Sequence, residues 1–253
     1  MMSSRSLLLP ALAAVAISIA GCSTSSCGFG PERANRDDSV TSVSSNPGAT
    51  APPAFSGRES SSAPNAKVDA RPRVVFLGDS LTAGLGLSPD EAYPSLLQQK
   101  IDQASLGMQI VNAGVSGDTS AGGLGRLDYA LDGDVRVMVV ALGGNDALRG
   151  LPVEELRKNL ATIIERAQAK KIRVVLAGME APPNFGQSYT DAFRRVYTEL
   201  AAQYKVPLIP FLLQGVAGIE RLNQRDGIHP TAEGARTVAD NVWTVLRPML
   251  KAT

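Results

Sequence analysis

From residue 71 onward the chain alternates short, continuous apolar runs with longer amphipathic stretches, and few architectures accept that pattern. Runs such as Val74-Val75-Phe76-Leu77 and Val137-Met138-Val139-Val140-Ala141-Leu142 have no polar face. Such strands must be covered on both sides, as in a parallel sheet sandwiched between helices. Strands are expected at 74–77, 109–112, 135–142, 173–179 and 206–210. Helices are expected at 89–103, 121–131, 153–169, 191–204 and 232–250. The result is an α/β three-layer sandwich with about five parallel strands in flavodoxin-like order.

In an open parallel sheet, ligands bind beyond the carboxyl ends of the strands. The segments delivered there are Gly78-Asp79-Ser80, Ala113-Gly114, Gly143-Gly144-Asn145-Asp146 and Ala181-Pro182-Pro183-Asn184. Ser80 follows the first strand at a helix start, where main-chain amides favour developing negative charge. Capping of that helix by Asp79 or Ser80 is an equally ordinary use of these residues. His229 is the single histidine of the chain. Asp226 precedes it by three residues in Asp226-Gly227-Ile228-His229-Pro230, a spacing from which a carboxylate can hold the ring. Serine, histidine and aspartate together suit nucleophilic acyl transfer.

These segments resemble the SGNH, or GDSL, hydrolases. Gly78-Asp79-Ser80-Leu81-Thr82-Ala83-Gly84 is similar to the nucleophile block and Asn112-Ala113-Gly114-Val115-Ser116-Gly117-Asp118-Thr119 to the glycine block. Gly143-Gly144-Asn145-Asp146 is similar to the asparagine block, and 226–230 to the final acid and base block. Each motif alone is a common turn sequence, but all four occur in family order across about residues 73 to 250. The resemblance implies Ser80 as nucleophile, His229 as base and Asp226 as its orienting acid. It implies an oxyanion hole built from the amides of Ser80 and Gly114 and the side chain of Asn145. The following segment through Gly150 is similar to the bacterial envelope enzymes that act as thioesterase, lysophospholipase and arylesterase. On that basis Leu148, Leu151 and Pro152, with Pro182, Pro183 and Phe185, are expected to line an acyl groove beside Asp79. Loop packing alone would use the same residues.

The expected substrates are small acyl esters, thioesters or lysophospholipids, with no cofactor and no metal, acted on by a monomer. Two alternatives stay open: a carbohydrate O-deacetylase using the same triad, and a flavodoxin-like binding module. Against the second, the first turn lacks the Gly-x-Gly-x-x-Gly and Gly-x-x-x-x-Gly-Lys patterns of phosphate cradles.

The remaining sequence bears on location. Arg5, the apolar run from Leu7 to Ala20 and the ending Ile19-Ala20-Gly21-Cys22 lay out a signal peptide over residues 1–21. About 14 apolar residues are too few to span a bilayer comfortably. The ending resembles a bacterial lipobox, which implies lipidation at Cys22; an ordinary signal peptide containing a cysteine reads the same way. Ser23 in place of aspartate favours outer-membrane placement in the cell envelope. Residues 22–70 are rich in Ser, Pro, Gly and Ala without apolar period and are expected to form a disordered tether; residues 71–253 form the hydrolase domain. Cys27 has no partner if Cys22 is acylated, and no cysteine occurs after it, which excludes a thiol nucleophile or cysteine-ligated metal from the domain. Removing residues 1–21 takes away Arg5 alone and leaves 24 basic against 24 acidic residues. A neutral chain without a basic patch is a poor ligand for nucleic acid.

Overall fold

The computed structural model describes residues 70–250; the signal peptide, the lipidation at Cys22 and the tether expected from the sequence fall outside them, apart from Ala70. Five strands form one parallel sheet: β1 (Arg73–Gly78), β2 (Gln109–Gly114), β3 (Val135–Ala141), β4 (Arg173–Ala177) and β5 (Leu208–Ile209). Their spatial order is β2-β1-β3-β4-β5, the flavodoxin-like doubly wound arrangement, whose crevice lies where the order reverses between β1 and β3. Val74 to Leu77, Val137 to Leu142 and Val174 to Ala177 are buried, as their unbroken apolar composition requires. β2 is only half-buried and carries Gln109 and Asn112, which suits an edge strand.

The helices supply the covering layers. In α6 (Val153–Ala169), buried Leu156, Leu160, Ile163, Ile164 and Ala167 recur at helical spacing, so one stripe meets the core. Helix α7 (Gln187–Tyr204) buries Phe193, Val196, Tyr197 and Leu200, and α8 (Ala232–Leu250) buries Val238, Val242 and Leu246. On one face of the sheet α2 (Tyr93–Gln103) packs against α8; on the other, α6 packs against α7 and against α3 (Ser120–Gly125).

Several boundaries differ from the sequence-based expectation. The helix expected at 121–131 is broken at Arg126 into α3 and α4 (Leu127–Ala130), because Gly122, Gly123 and Gly125 weaken its propensity. The strand expected at 206–210 shrinks to two residues. Pro207 and Pro210, which flank them, have no N–H to give to a ladder, and β5 is the other edge. Two short helices stand at the site: α1 (Ser80–Ala83), which begins at Ser80 as expected, and α5 (Gly144–Leu148), in a segment expected only as a glycine-rich turn.

The register aligns the site. Gly78 pairs with Gly114 of β2 and Ala141 of β3, so the segments after these three strands leave the sheet at one level.

Candidate active site

Ser80 begins α1 directly beyond β1, and Asp79 caps that helix by accepting from Leu81 N at 3.0 Å. Room for α1 is made by the neighbouring strand: a Cβ on Gly114 would stand 2.3 Å from Ala83 N, so only glycine fits there. His229 arrives from the long connection between β5 and α8. That connection closes on itself through Gln224 N to His229 O at 2.7 Å and Thr231 N to Leu222 O at 2.9 Å. The Gln224 side chain then pins it to the serine side, donating to Leu85 O at 2.7 Å and Pro230 O at 2.9 Å.

The result is a contact between groups 149 positions apart: Ser80 Oγ lies 2.8 Å from His229 Nε2. On the other side of the ring, Nδ1 lies 2.7 Å from Asp226 Oδ2. Asp226 Oδ1 accepts from the amides of Ile228 at 2.9 Å and His229 at 3.0 Å. The hydrogen bond to the imidazole, helped by those two amides, holds the Asp226 carboxyl down at about 2, so it is a carboxylate at any pH near neutrality. It accepts the Nδ1 proton, which leaves Nε2 as acceptor toward the serine hydroxyl.

Asp79 has the opposite electrostatics. It is 3% exposed, and burial pushes its carboxyl up to about 6 despite the Leu81 amide. Its Oδ2 receives a long, 3.4 Å contact from Asn145 Nδ2.

Asn145 sits in the first turn of α5 and donates through Nδ2 to Asp118 O at 2.9 Å. The loop 115–119 is held to its neighbours by two devices. Arg126 donates through Nε to Asp118 Oδ2 at 2.6 Å and through Nη2 to Gly78 O at 2.8 Å. The buried Asp146 carboxylate accepts from Ser120 N at 2.8 Å and Ser120 Oγ at 2.5 Å. Neither Arg126 nor Asp146 was singled out from sequence; an aspartate directly after the asparagine of a glycine-rich turn was the available signal.

Gly114 does not stand where the resemblance put it. Its N–H donates to Asn112 Oδ1 at 3.0 Å, and it borders a separate hollow with Val111 and Arg126. Peptide groups alternate along a strand, and since Val115 N bonds Gly78 O, the Gly114 amide faces the open edge of β2. Gly117, three residues on, has φ of 86° and no acceptor for its N–H among the described residues. It adjoins Asp118, to which Asn145 is tied.

A cavity of about 400 Å³ opens beside Ser80 and His229, within the range of ligand sites. Of the expected lining, Asp79, Leu148, Pro182 and Pro183 border it. Leu151, Pro152 and Phe185 do not. Leu151 O accepts from Tyr189 Oη at 2.8 Å, Pro152 caps α6, and the Phe185 ring packs against Gly150 and, at 5.3 Å between centroids, Tyr189. They lie beside α5 away from the cavity, and Phe185 keeps part of its ring exposed. Met179, Phe211, Leu213 and Ala217 supply apolar lining instead, beside the polar Glu180 and Asn223; the apolar run continuing past the fifth strand was the sequence signal for Phe211 and Leu213. Among the described residues no group of three or more His, Cys, Asp or Glu side chains is placed to hold a metal.

The sequence matches the GDSL-like lipase/acylhydrolase family over residues 76–237, a span that holds all four blocks. The chain belongs to that family. It is similar to esterase TesA of Pseudomonas aeruginosa, 43% identical over 178 residues, which cover 70% of this chain and 89% of that one. It is also similar to thioesterase 1/protease 1/lysophospholipase L1 of Escherichia coli, 36% identical over 178 residues, with 70% and 84% covered. Among solved structures, the psychrotrophic esterase EstA from Pseudoalteromonas, inhibited by monoethylphosphonate, superposes with a TM-score of 0.67 at 32% identity, covering 71% of this chain and 98% of that one. This SGNH hydrolase is therefore an ester-hydrolysing enzyme, and its five-stranded parallel sheet is the family's fold.

Proposed function

We propose that the enzyme hydrolyses carboxylic esters or thioesters of acyl chains through Ser80, His229 and Asp226. The observation that carries this reading is the continuous relay from Ser80 Oγ through His229 to Asp226, at 2.8 and 2.7 Å. His229 Nε2 takes the hydroxyl proton as Ser80 Oγ bonds to the substrate carbonyl carbon, and Asp226 stabilises the imidazolium that results. Collapse of the tetrahedral intermediate expels the alcohol or thiol, which receives the proton from His229. Water, deprotonated by the same imidazole, then attacks the acyl-enzyme and releases the acid.

Three neutral donors serve the oxyanion: the amides of Ser80 and Gly117 and the Nδ2 of Asn145. Gly117 takes the place first given to Gly114, because its amide is uncommitted while that of Gly114 is spent on Asn112. The apolar cavity, bordered by Leu148, Met179, Phe211 and Leu213, favours acyl chains over acetyl groups alone, and the name of the Escherichia coli relative points to thioesters and lysophospholipids as classes to test beside simple esters. The same reading places the domain in the cell envelope, exported by residues 1–21 and anchored by acylated Cys22 through residues 22–70.

The test is hydrolysis of p-nitrophenyl esters and acyl thioesters of rising chain length, and of lysophospholipids, by the wild type and Ser80→Ala. Turnover beyond C4 that vanishes in Ser80→Ala supports the proposal. Turnover of acetyl esters alone would favour the deacetylase, and activity retained by Ser80→Ala would overturn the mechanism.

A further inference from the structure

Seven large apolar side chains are substantially exposed among the described residues. Six of them, Leu85, Val115, Leu148, Phe185, Ile219 and Ile228, belong to segments that follow the carboxyl ends of β1, β2, β3, β4 and β5. The seventh, Tyr129, is on α4. The edge beyond those carboxyl ends also carries exposed charges at Arg149, Glu180, Glu220, Arg221 and Arg225, whereas at the opposite edge the connections entering β3, β4 and β5 expose Asp132, Asp134, Lys170, Lys171 and Lys205 and no large apolar side chain. Single exposed apolar residues are ordinary; their confinement to the edge that holds the cavity is not. Leu148 and Ile228 border the cavity itself, so two of the six exposed apolar side chains stand at its mouth.

We infer that this edge docks on a lipid surface, with the apolar rim entering the headgroup boundary and the cavity mouth facing the acyl chains. Docking rests on the acyl-ester reading above, since a lipid phase is where long-chain esters reside. The geometry of the chain outside the described residues agrees. Residues 23–69 can extend at most about 160 Å, whereas a domain of this size is roughly 40 Å across. The domain begins at the amino end of β1, on the edge opposite the rim, so a chain held at Cys22 needs at least one domain diameter of reach to turn the rim toward the membrane. The available length exceeds that severalfold.

The experiment uses residues 22–253 carrying Cys22→Ser, so that neither an acyl group nor the apolar run 7–20 contributes, sedimented with phosphatidylcholine/phosphatidylethanolamine vesicles at low salt and at 0.5 M salt. Phe185→Gln and Ile219→Gln are combined because neither residue borders the cavity. The expected result is vesicle association that survives salt in the parent and falls about tenfold or more in the double variant, which removes two of the six exposed apolar side chains of the rim. Turnover of soluble p-nitrophenyl butyrate should stay within twofold in both, and melting temperature shows whether the double variant is folded. Parent protein that stays in the supernatant, or equal association of both proteins, overturns docking. Parent protein that dimerises through this edge, with the dimer lost in the double variant, overturns it as well. Failure of the esterase reading is distinct: soluble butyrate would not be hydrolysed by the parent.

Discussion

Asn145 donates to the main-chain carbonyl of Asp118 at 2.9 Å, and this bond fixes a side chain of α5 against the loop that carries Gly117. Because the same nitrogen reaches Asp79 only at 3.4 Å, its second hydrogen is weakly held and can be given to a substrate oxygen. Asn145→Ala is expected to lower kcat by about 10² to 10³ with KM little changed, as for loss of one oxyanion donor. Steady-state hydrolysis of p-nitrophenyl butyrate measures it. A fall confined to KM would place Asn145 in ground-state binding instead.

Arg126 joins Gly78, two residues before the nucleophile, to Asp118 in the opposite wall. Both bonds involve a charged donor and are partly buried, the kind worth about 1.5 to 3 kcal/mol. Arg126→Ala should therefore lower the melting temperature by about 4 °C or more, and reduce kcat roughly tenfold by loosening the donors. Arg126→Lys, which cannot span both acceptors, should recover little. Wild-type kcat in a folded Arg126→Ala protein would show that the brace is irrelevant to turnover.

Glycines 114 and 117 should respond differently to alanine. At Gly114 the new Cβ meets the backbone of α1 at 2.3 Å, so Gly114→Ala is expected to destabilise the fold itself. At Gly117 the new Cβ meets nothing nearer than Arg149 at 3.9 Å, and the cost is the left-handed φ, about 1 kcal/mol. Gly117→Ala should remain folded but lose turnover as its amide reorients. Thermal melts beside kcat separate the two, and equal melting temperatures would contradict the packing argument.

Asp79 makes stability depend on pH in a particular direction. Its folded value of about 6 exceeds the ordinary 3.8, so between these the folded chain binds the extra proton. Its contribution to stability is therefore greatest below about pH 4, falls as pH rises, and is fully lost above about 6, a swing on the order of 3 kcal/mol. Asp79→Asn, which keeps an acceptor for the Leu81 amide, should remove the swing, so the variant gains on the wild type as pH rises from 4 to 6.5. Urea unfolding at several pH values measures it; parallel curves would show that Asp79 does not titrate there.

Much of this was legible in the chain because burial on both sheet faces leaves unbroken apolar runs: β1, β3, α6 and α8 fall where the composition puts them. That the side chains of Ser80, His229 and Asp226 meet was legible because a lone imidazole with an aspartate three residues earlier offers few other pairings. What escaped is what depends on direction rather than identity. Which way the Gly114 amide points follows from strand alternation against β1, which a glycine motif does not encode. Whether Phe185 faces the cavity or Tyr189 is settled by packing between α5 and α7. Gln224 acts through main-chain carbonyls and Arg126 through one beside the Asp118 carboxylate, and a carbonyl leaves no mark in sequence.

The central claim, that His229 makes Ser80 the nucleophile, is tested most directly by the site of covalent capture. Wild-type protein treated with a fluorophosphonate and mapped by peptide mass spectrometry should carry a single adduct on Ser80, formed far more slowly in His229→Ala and absent in Ser80→Ala. An adduct on another residue, or labelling of Ser80 at an unchanged rate without the imidazole, would contradict it.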